Sequence, residues 1–469
     1  MNNVLPTLKL LTEGQIRQVY QYSLRILSET GVRVDSSRIV ERLEKTRQVT
    51  VEARSVKIFP ELVEQAIQSV PSVIQVFDRH GNPAFQLGND RLRFGVGVTA
   101  LHYQEPVADT LELFTRRHMR IMTQLGSCLP NYDVISTPGI VQDVPEALSD
   151  LYGNLDMFAN TTKPLVVLTS DENKLVPLLD MFEHLHGDLA EKPFILPYFN
   201  PVTPLVMNSG TLLKMEAAIE RGLPFIFASY SMAGASTPMT PAGILSLLLA
   251  ELLAGLTISQ VMKPGTPIAI GMYPSYFDMK SMLNFYDPQS ILINAASVEI
   301  LSYFKLPHCG TAGAGMGWGM DLIAADTYWM NTLALLLTRG GLVPFIGDGL
   351  AGKSISPNTV VHMNEVIEQA LRFAQGFQLD NARAVLDEIA KVGPGGSFLS
   401  SPSTLNNYKT GYYTSQLYPR WNMEKWQNAG QPEARQVLRE KTQALLQDMS
   451  APDDCEALVR KGEEFVRSL

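Results

Sequence analysis

Eight short runs of β-branched and aromatic residues, each followed by a longer stretch of helical periodicity, constrain this chain more than any other feature. They are RLRFGVGV (91–98), YDVIST (132–137), KPLVVLT (163–169), KPFILPYFN (192–200), LPFIFASY (223–230), TPIAIGMY (266–273), LPHCGT (306–311) and GLVPFIG (341–347). Several follow the same punctuation, a helix ending in Gly or Lys and then Pro: TTKP, AEKP, RGLP, KPGTP, FKLP. Their starts lie about 29 to 43 residues apart, the length of a strand–loop–helix–loop unit. Eight such units predict an α/β fold, a (β/α)8 TIM barrel over 91–378. A doubly wound sheet usually stops at about five to seven strands.

Two flanks extend the barrel. Residues 1–90 form an N-terminal α+β extension, its first helix marked by a capping box, Thr12-x-x-Gln15, and by Ile16, Val19, Tyr20, Leu24 and Leu27 up to Gly31. A second helix over 36–44, an FPELVEQAIQSV helix and a VIQVFD strand complete it. Residues 379–469 form a C-terminal helical extension: a helix over 380–391, then a segment without periodicity, then two terminal helices. The irregular segment carries Phe398, Tyr408, Tyr412, Tyr413, Tyr418 and Trp421, and is expected to pack over something. These flanks add apolar helices beyond what a barrel needs, so a homo-oligomer is expected.

Composition removes several function classes. With 38 Lys+Arg against 47 Asp+Glu, a net charge of −9 and only 18% charged residues, the chain lacks a footprint for nucleic acid or anionic lipid. The most apolar stretch, Ile244 to Met262, holds Glu251 in its middle and is followed by Pro264-Gly265. A central carboxylate costs roughly 2.5–3.5 kcal/mol in a bilayer, so a buried barrel helix is expected and no membrane partner. Three scattered cysteines, Cys128, Cys309 and Cys455, and a start without a signal pattern predict a reduced, cytoplasmic protein.

In such a barrel the chemistry sits at the carboxyl ends of the strands. Aromatic residues recur there: Phe199, Tyr230 and Tyr273, with Tyr276, Trp318 and Phe345 close by. Ionisable groups are few, essentially His308, Asp348 and Asp171. An aromatic cavity with one carboxylate suits a cation that makes no hydrogen bonds, such as a quaternary ammonium; the competing expectation is that these rings merely finish the barrel core. The candidate substrate-binding set is Phe94, Phe199, Asn200, Tyr230, Tyr273, His308, Trp318, Phe345 and Asp348. Ser229, Ser231 and Lys353 are further candidates for an anionic tail.

The loop after the seventh run, CGTAGAGMGWGMD, holds five glycines between Gly310 and Gly319 and no Lys or Arg, which disfavours phosphate. The sequence Gly347-Asp-Gly349-Leu-Ala-Gly352 matches a G-x-G-x-x-G pattern, but Lys-Ser-Ile-Ser-Pro follows it rather than a helix. No His/Cys cluster has metal-ligand spacing, His184-x-His186 is expected on the surface, and no G-x-S-x-G elbow supplies a nucleophile. No catalytic residue and no metal site are assigned.

Several segments carry a family resemblance: ILSETGVRVDS (26–36), NTTKP (160–164), NPVTPLVMNSGTL (200–212), residues 220–256, KPGTPI (263–268), CGTAG (309–313), GDGL (347–350) and GPGGSFL (393–399). On these the chain resembles the trimethylamine methyltransferase family, in the branch lacking pyrrolysine. The resemblance implies methyl transfer from an amine to cobalt(I) of cobalamin carried by a separate corrinoid protein. The family's pyrrolysine falls nearest Ala314, in a loop that is here Gly, Ala, Met, Trp and Thr. Members without it act as a class on quaternary amines, glycine betaine among them. The resemblance also makes Gly310, Gly313, Gly315 and Gly317 candidates for letting a corrin ring approach. A second departure is Pro402-Ser403-Thr404, where many members carry His-Thr. The physics agrees, since cobalt(I) is itself the nucleophile and a quaternary ammonium leaves as a neutral amine. Two alternatives stand beside this: a barrel enzyme binding a phosphorylated or flavin ligand after strands seven and eight, and a non-catalytic betaine-binding protein.

Overall fold

A computed structural model of the chain describes residues 3–52, 55–89, 91–312, 316–379 and 382–469. The eight runs form eight parallel strands: β1 (Arg93–Val96), β2 (Val134–Ser136), β3 (Leu165–Val167), β4 (Ile195–Phe199), β5 (Phe225–Ala233), β6 (Ile268–Asp278), β7 (His308–Cys309) and β8 (Leu342–Ile346). Each pairs with the next, and β8 pairs with β1 through Leu342↔Arg93 and Val343↔Phe94, so the sheet closes as expected. A helix follows each strand: α1 (Arg116–Cys128), α2 (Ser149–Ala159), α3 (Leu175–His186), α4 (Ser209–Glu220), α5 (Pro241–Met262), α6 (Pro288–Tyr303), α7 (Leu322–Thr338) and α8 (Pro357–Ala374).

Two strands run longer than the sequence suggested. β5 and β6 stay paired from Phe225↔Ile268 to Ala233↔Tyr276, beyond the rim where the other strands stop. Serines hold the overhang: Ser275 Oγ donates to the Ser231 carbonyl at 2.5 Å and accepts from the Tyr230 hydroxyl at 3.0 Å. The chain then returns as a short strand, Leu283–Phe285, antiparallel to the end of β6. A small sheet of His102–Gln104, Leu111–Leu113, Asp348–Gly349 and Ser354–Ile355 lies on the same rim, beyond β1 and β8. Neither feature has a periodic signature of its own.

The N-terminal extension does two jobs. Its helix Glu13–Arg25, with the expected capping box, and its helix Pro60–Ser69 share one apolar core with α5, and its strand Val32–Val34 pairs with Val206–Met207 from the loop after β4. Its hairpin, Ile74–Phe77 paired with Pro83–Leu87, sends Ile74, Val76, Phe85 and Leu87 into the cluster made by the lumen residues Val134, Val166, Leu196, Ile226 and Leu342. The hairpin therefore plugs the amino-terminal end of the barrel. Arg93 locks it, stacking its guanidinium over Phe85 at 5.3 Å while pairing with Asp133 at 2.8 Å.

Helix α5 is apolar on every face because the barrel lies on one side and the N-terminal extension on the other. Glu251 is fully buried there, accepting from Thr203 Oγ1 at 2.8 Å, the Leu205 N–H at 2.6 Å and Ser229 Oγ. Burial raises its pKa and these donors oppose the rise. The 22-residue helix is long and apolar enough to span a bilayer, yet 83% of its apolar window is buried in protein.

The last helix, Cys455–Ser468, is riveted by charge. Arg79 makes a two-point contact with Asp454 at 2.6 and 2.8 Å, and Arg116 bridges fully buried Asp156 at 2.7 and 3.0 Å to Glu463 at 2.9 Å. The irregular segment before it packs only in part. Tyr418 and Tyr413 reach α8, at His362 Nδ1 (2.9 Å) and Glu365 Oε1 (2.8 Å), whereas Phe398, Tyr408, Tyr412 and Trp421 stay exposed. With no repeat along the segment, only the side chains that happen to face α8 find cover.

Lys163, one of the Lys-Pro punctuation marks, donates to the carbonyls of Gly126, Leu129 and Tyr132 at 2.9, 2.8 and 2.7 Å, closing the end of α1. Lys163→Met leaves these acceptors bare and is expected to cost about 2–4 kcal/mol of stability, read by denaturant unfolding. Burial holds the pKa of His362 down to about 4, against a nearby Glu365 charge that raises it. The unfolded chain then binds a proton below about pH 6.5 that the folded chain refuses until about pH 4. His362 should therefore withdraw about 3 kcal/mol of stability as pH falls through that window, and His362→Gln should flatten the profile.

Candidate active site

The carboxyl ends of the strands surround a cavity of about 390 Å³. One wall is aromatic: Tyr198 from β4, Tyr230 from β5, Tyr273 from β6, Tyr286 from the overhang and Phe345 from β8. Phe345 meets Tyr198 edge-on at 5.1 Å and Tyr273 at 6.2 Å. Asn200, Asn284, Thr311 and Thr99 supply the neutral polar groups, Val98 and Leu168 the aliphatic ones. Burial raises the pKa of Tyr198, Tyr230, Tyr273 and Tyr286, so all four keep their protons at neutral pH.

One carboxyl group, Asp348, lines this cavity among the described residues, and no Lys, Arg or His does. Asp348 is almost fully buried and is aimed by Tyr328, whose hydroxyl donates to Oδ1 at 2.9 Å and also meets the Asp348 carbonyl. The turn beyond it, Leu350 and Ala351 at φ 51° and 55°, folds the chain back so that Ala351 and Gly352 close that side. The G-x-G-x-x-G match is thus a tight return between Asp348–Gly349 and Ser354–Ile355, not the start of a helix.

Of the residues singled out from sequence, the structure brings Asn200, Tyr230, Tyr273, Phe345 and Asp348 together in one cavity. It places four elsewhere. Phe94 and Phe199 belong to the helix-facing core, Phe199 lying 5.3 Å from Phe225, because strand alternation gives the lumen to Tyr198 rather than Phe199. His308 stands at the start of β7, Nδ1 2.9 Å from the Leu306 carbonyl and Nε2 3.4 Å from that of Arg339, at the plugged end. Cys309 takes the lumen position. Trp318 is 75% exposed on the rim, its carbonyl accepting from Gln104 Nε2 at 3.1 Å.

The glycine-rich loop divides similarly. A β-carbon on Gly310 would press on Leu335 and Val298 at 3.1 and 3.3 Å, and one on Gly317 would lie 2.4 Å from Asp321 Oδ1. Gly310 thus fits α6 and α7 against the strand, and Gly317 lets the loop close over the first turn of α7. Gly313, Ala314 and Gly315 lie outside the described residues. Ser229 points away from the lumen to Glu251, and Lys353 is exposed on the turn after β8. Sequence reasoning missed Tyr198, Asn284, Tyr286 and Thr311. Alternation across PYFN puts Tyr198 and Phe199 on opposite faces without saying which face is inward; Asn284 and Tyr286 arrive by the overhang, which has no local signal.

Chemically, the cavity can hold a cation against ring faces and one carboxyl group. Among the described residues there is no cluster of His, Cys, Asp and Glu able to hold a metal ion.

Comparison with known proteins agrees with the fold. Residues 1–467 match the family model described as trimethylamine methyltransferase. A glycine betaine methyltransferase of Desulfitobacterium hafniense is 26% identical over 93% of each chain, and a trimethylamine methyltransferase of the same species is 25% identical over 93% of this chain and 89% of that one. Among solved structures, the monomethylamine methyltransferase of Methanosarcina barkeri shares the fold, with a TM-score of 0.56 at 9% identity over 94% of this chain and 89% of the other. The family model spans the flanks as well as the barrel, and on that end-to-end match the chain belongs to the trimethylamine methyltransferase family.

Proposed function

We propose that this methyltransferase moves a methyl group from a quaternary amine, glycine betaine foremost, to cobalt(I) of a corrinoid carried by a partner protein. The aromatic cavity with its single carboxyl group carries the reading: ring faces and Asp348 satisfy a permanent cation that offers no hydrogen bonds. Asn200, Asn284 and Thr311 give a carboxylate tail its donors. The similarity to a glycine betaine methyltransferase supports the same substrate.

Cobalt(I) supplies the nucleophile when the partner docks. The chain's own part is to bind the cation, orient one methyl toward the opening and exclude water. The rim suits a docked partner. Met239, Met279, Met282 and Trp318, in loops at the carboxyl end of the barrel, and Leu322, the first residue of α7, are exposed apolar side chains. A phosphorylated or flavin ligand would call for a cationic mouth, and the lining among the described residues offers none. Free thiols at Cys128, Cys309 and Cys455 support a reduced, cytoplasmic setting. Exposed Phe373, Phe377, Leu386, Leu399 and Met423 support self-association through the C-terminal segment.

Two outcomes are expected. With free cob(I)alamin, glycine betaine methylates cobalt and trimethylamine does not, followed by the cobalamin spectrum; equal rates from both overturn the substrate class. Tyr230→Leu weakens binding of tetramethylammonium by about 1–2 kcal/mol in calorimetry, the range for a desolvated cation–π contact. Unchanged affinity would make the ring a core residue only.

A further inference from the structure

The aromatic cavity is not the only space under the rim. A second chamber of about 180 Å³ lies among the loops after β1, β2 and β3 and the start of α2, and it shares Thr99 and Leu168 with the main cavity. Its lining mixes Met119, Ile140, Val141 and Leu168 with the polar side chains of Ser149, Asp150 and Asn154, and holds no aromatic ring. Asp150 is already committed, Oδ1 accepting from Ser170 N–H and Oγ at 3.1 and 2.8 Å and Oδ2 from the Asp171 N–H at 2.9 Å. Ser149 Oγ donates to the Val141 carbonyl at 2.7 Å. Asn154 donates Nδ2 to the Asp150 carbonyl at 2.8 Å, which leaves its Oδ1 with no hydrogen-bond partner among the described residues although the side chain is 1% exposed.

An acceptor buried this deeply without a donor is costly, and where it lines a cavity it calls for one. The doorway carries a second mark. Thr99, between the two spaces, sits at φ 53°, a conformation that a β-branched residue adopts only where the surroundings impose it and that concentrates at ligand sites. With the Asn154 side chain and the Asp150 carboxyl group both in its wall, the chamber rejects an anion and accepts a neutral donor.

We propose that this side chamber binds the far end of a substrate arm, and that the arm ends in a hydroxyl or another neutral donor held by Asn154 Oδ1. The inference rests on the quaternary-amine reading and extends it to arms longer than that of glycine betaine, whose short carboxylate arm stays in the aromatic cavity: the trimethylammonium head occupies that cavity, and the longer arm passes Thr99 and Leu168. Quaternary amines with a hydroxylated arm are then bound in preference to those with an alkyl arm of equal length.

Calorimetry on the full chain, without a corrinoid partner, tests this with ω-hydroxyalkyl-trimethylammonium ions of two to five carbons against their alkyl counterparts. Tetramethylammonium, too short to reach the chamber, serves as the reference for each variant. The expected result is a preference of about tenfold for the hydroxylated ion at one chain length. Asn154→Leu removes the acceptor and should abolish that ratio. Gly153→Ala tests the same space in a variant that folds: its added methyl would meet Met119 and Val141 at 3.4 and 3.6 Å, ordinary contact, and fills part of the chamber. The long-arm preference should collapse there too. If tetramethylammonium binds but no hydroxyl preference appears, or the preference survives both variants, the chamber holds only water and the proposal falls while the quaternary-amine reading stands. If no quaternary ammonium binds at all, that reading itself fails.

Discussion

A closed parallel barrel surrenders every second strand side chain to its lumen, and that division governs the rest of this molecule. Low in the lumen the inward side chains are Val134, Val166, Leu196, Ile226 and Leu342, which the N-terminal hairpin covers. Higher up, the inward positions go to Tyr198, Tyr230, Tyr273 and Phe345, too large to interdigitate fully, and a cavity remains. The outward positions meet eight helices, so they are apolar or hydrogen-bonded. The aromatic wall and the tight core are thus one alternation seen at two heights.

Charge is spent almost entirely outside the lumen. Asp156, Glu251 and Lys163 are buried or nearly so, and each has several partners: two arginines, a backbone N–H with two hydroxyls, and three carbonyls. These groups fix where a helix ends or a loop turns. Among the described residues that line the aromatic cavity, Asp348 is the one charged side chain, so the nearest source of field there is that residue with the ring faces around it.

This division also explains what could be read from sequence. Eight strands with helices between them are written in hydrophobic period and in Gly/Lys-Pro punctuation, and all eight are present where the runs lie. Parity was not legible. In Pro197-Tyr198-Phe199 either aromatic could face inward, and only closure of the barrel chose Tyr198. Height along the barrel was not legible either: His308 looks like a strand end because its strand is two residues long, yet it stands at the plugged end. Asn284 and Tyr286 come from a strand that exists only because β6 overshoots the rim, a long-range pairing with no local trace.

The hairpin that stoppers the barrel has a kinetic corollary. A lumen closed at one end has a single doorway, and on the proposed function the amine enters, the methyl leaves and the demethylated product departs through it. A partner seated on the rim blocks that traffic while it stays. On that reading binding is compulsory in sequence, amine before partner, with the product waiting for the partner to lift away. The rate at which the two proteins separate becomes a ceiling on turnover, set by the rim rather than by the cavity.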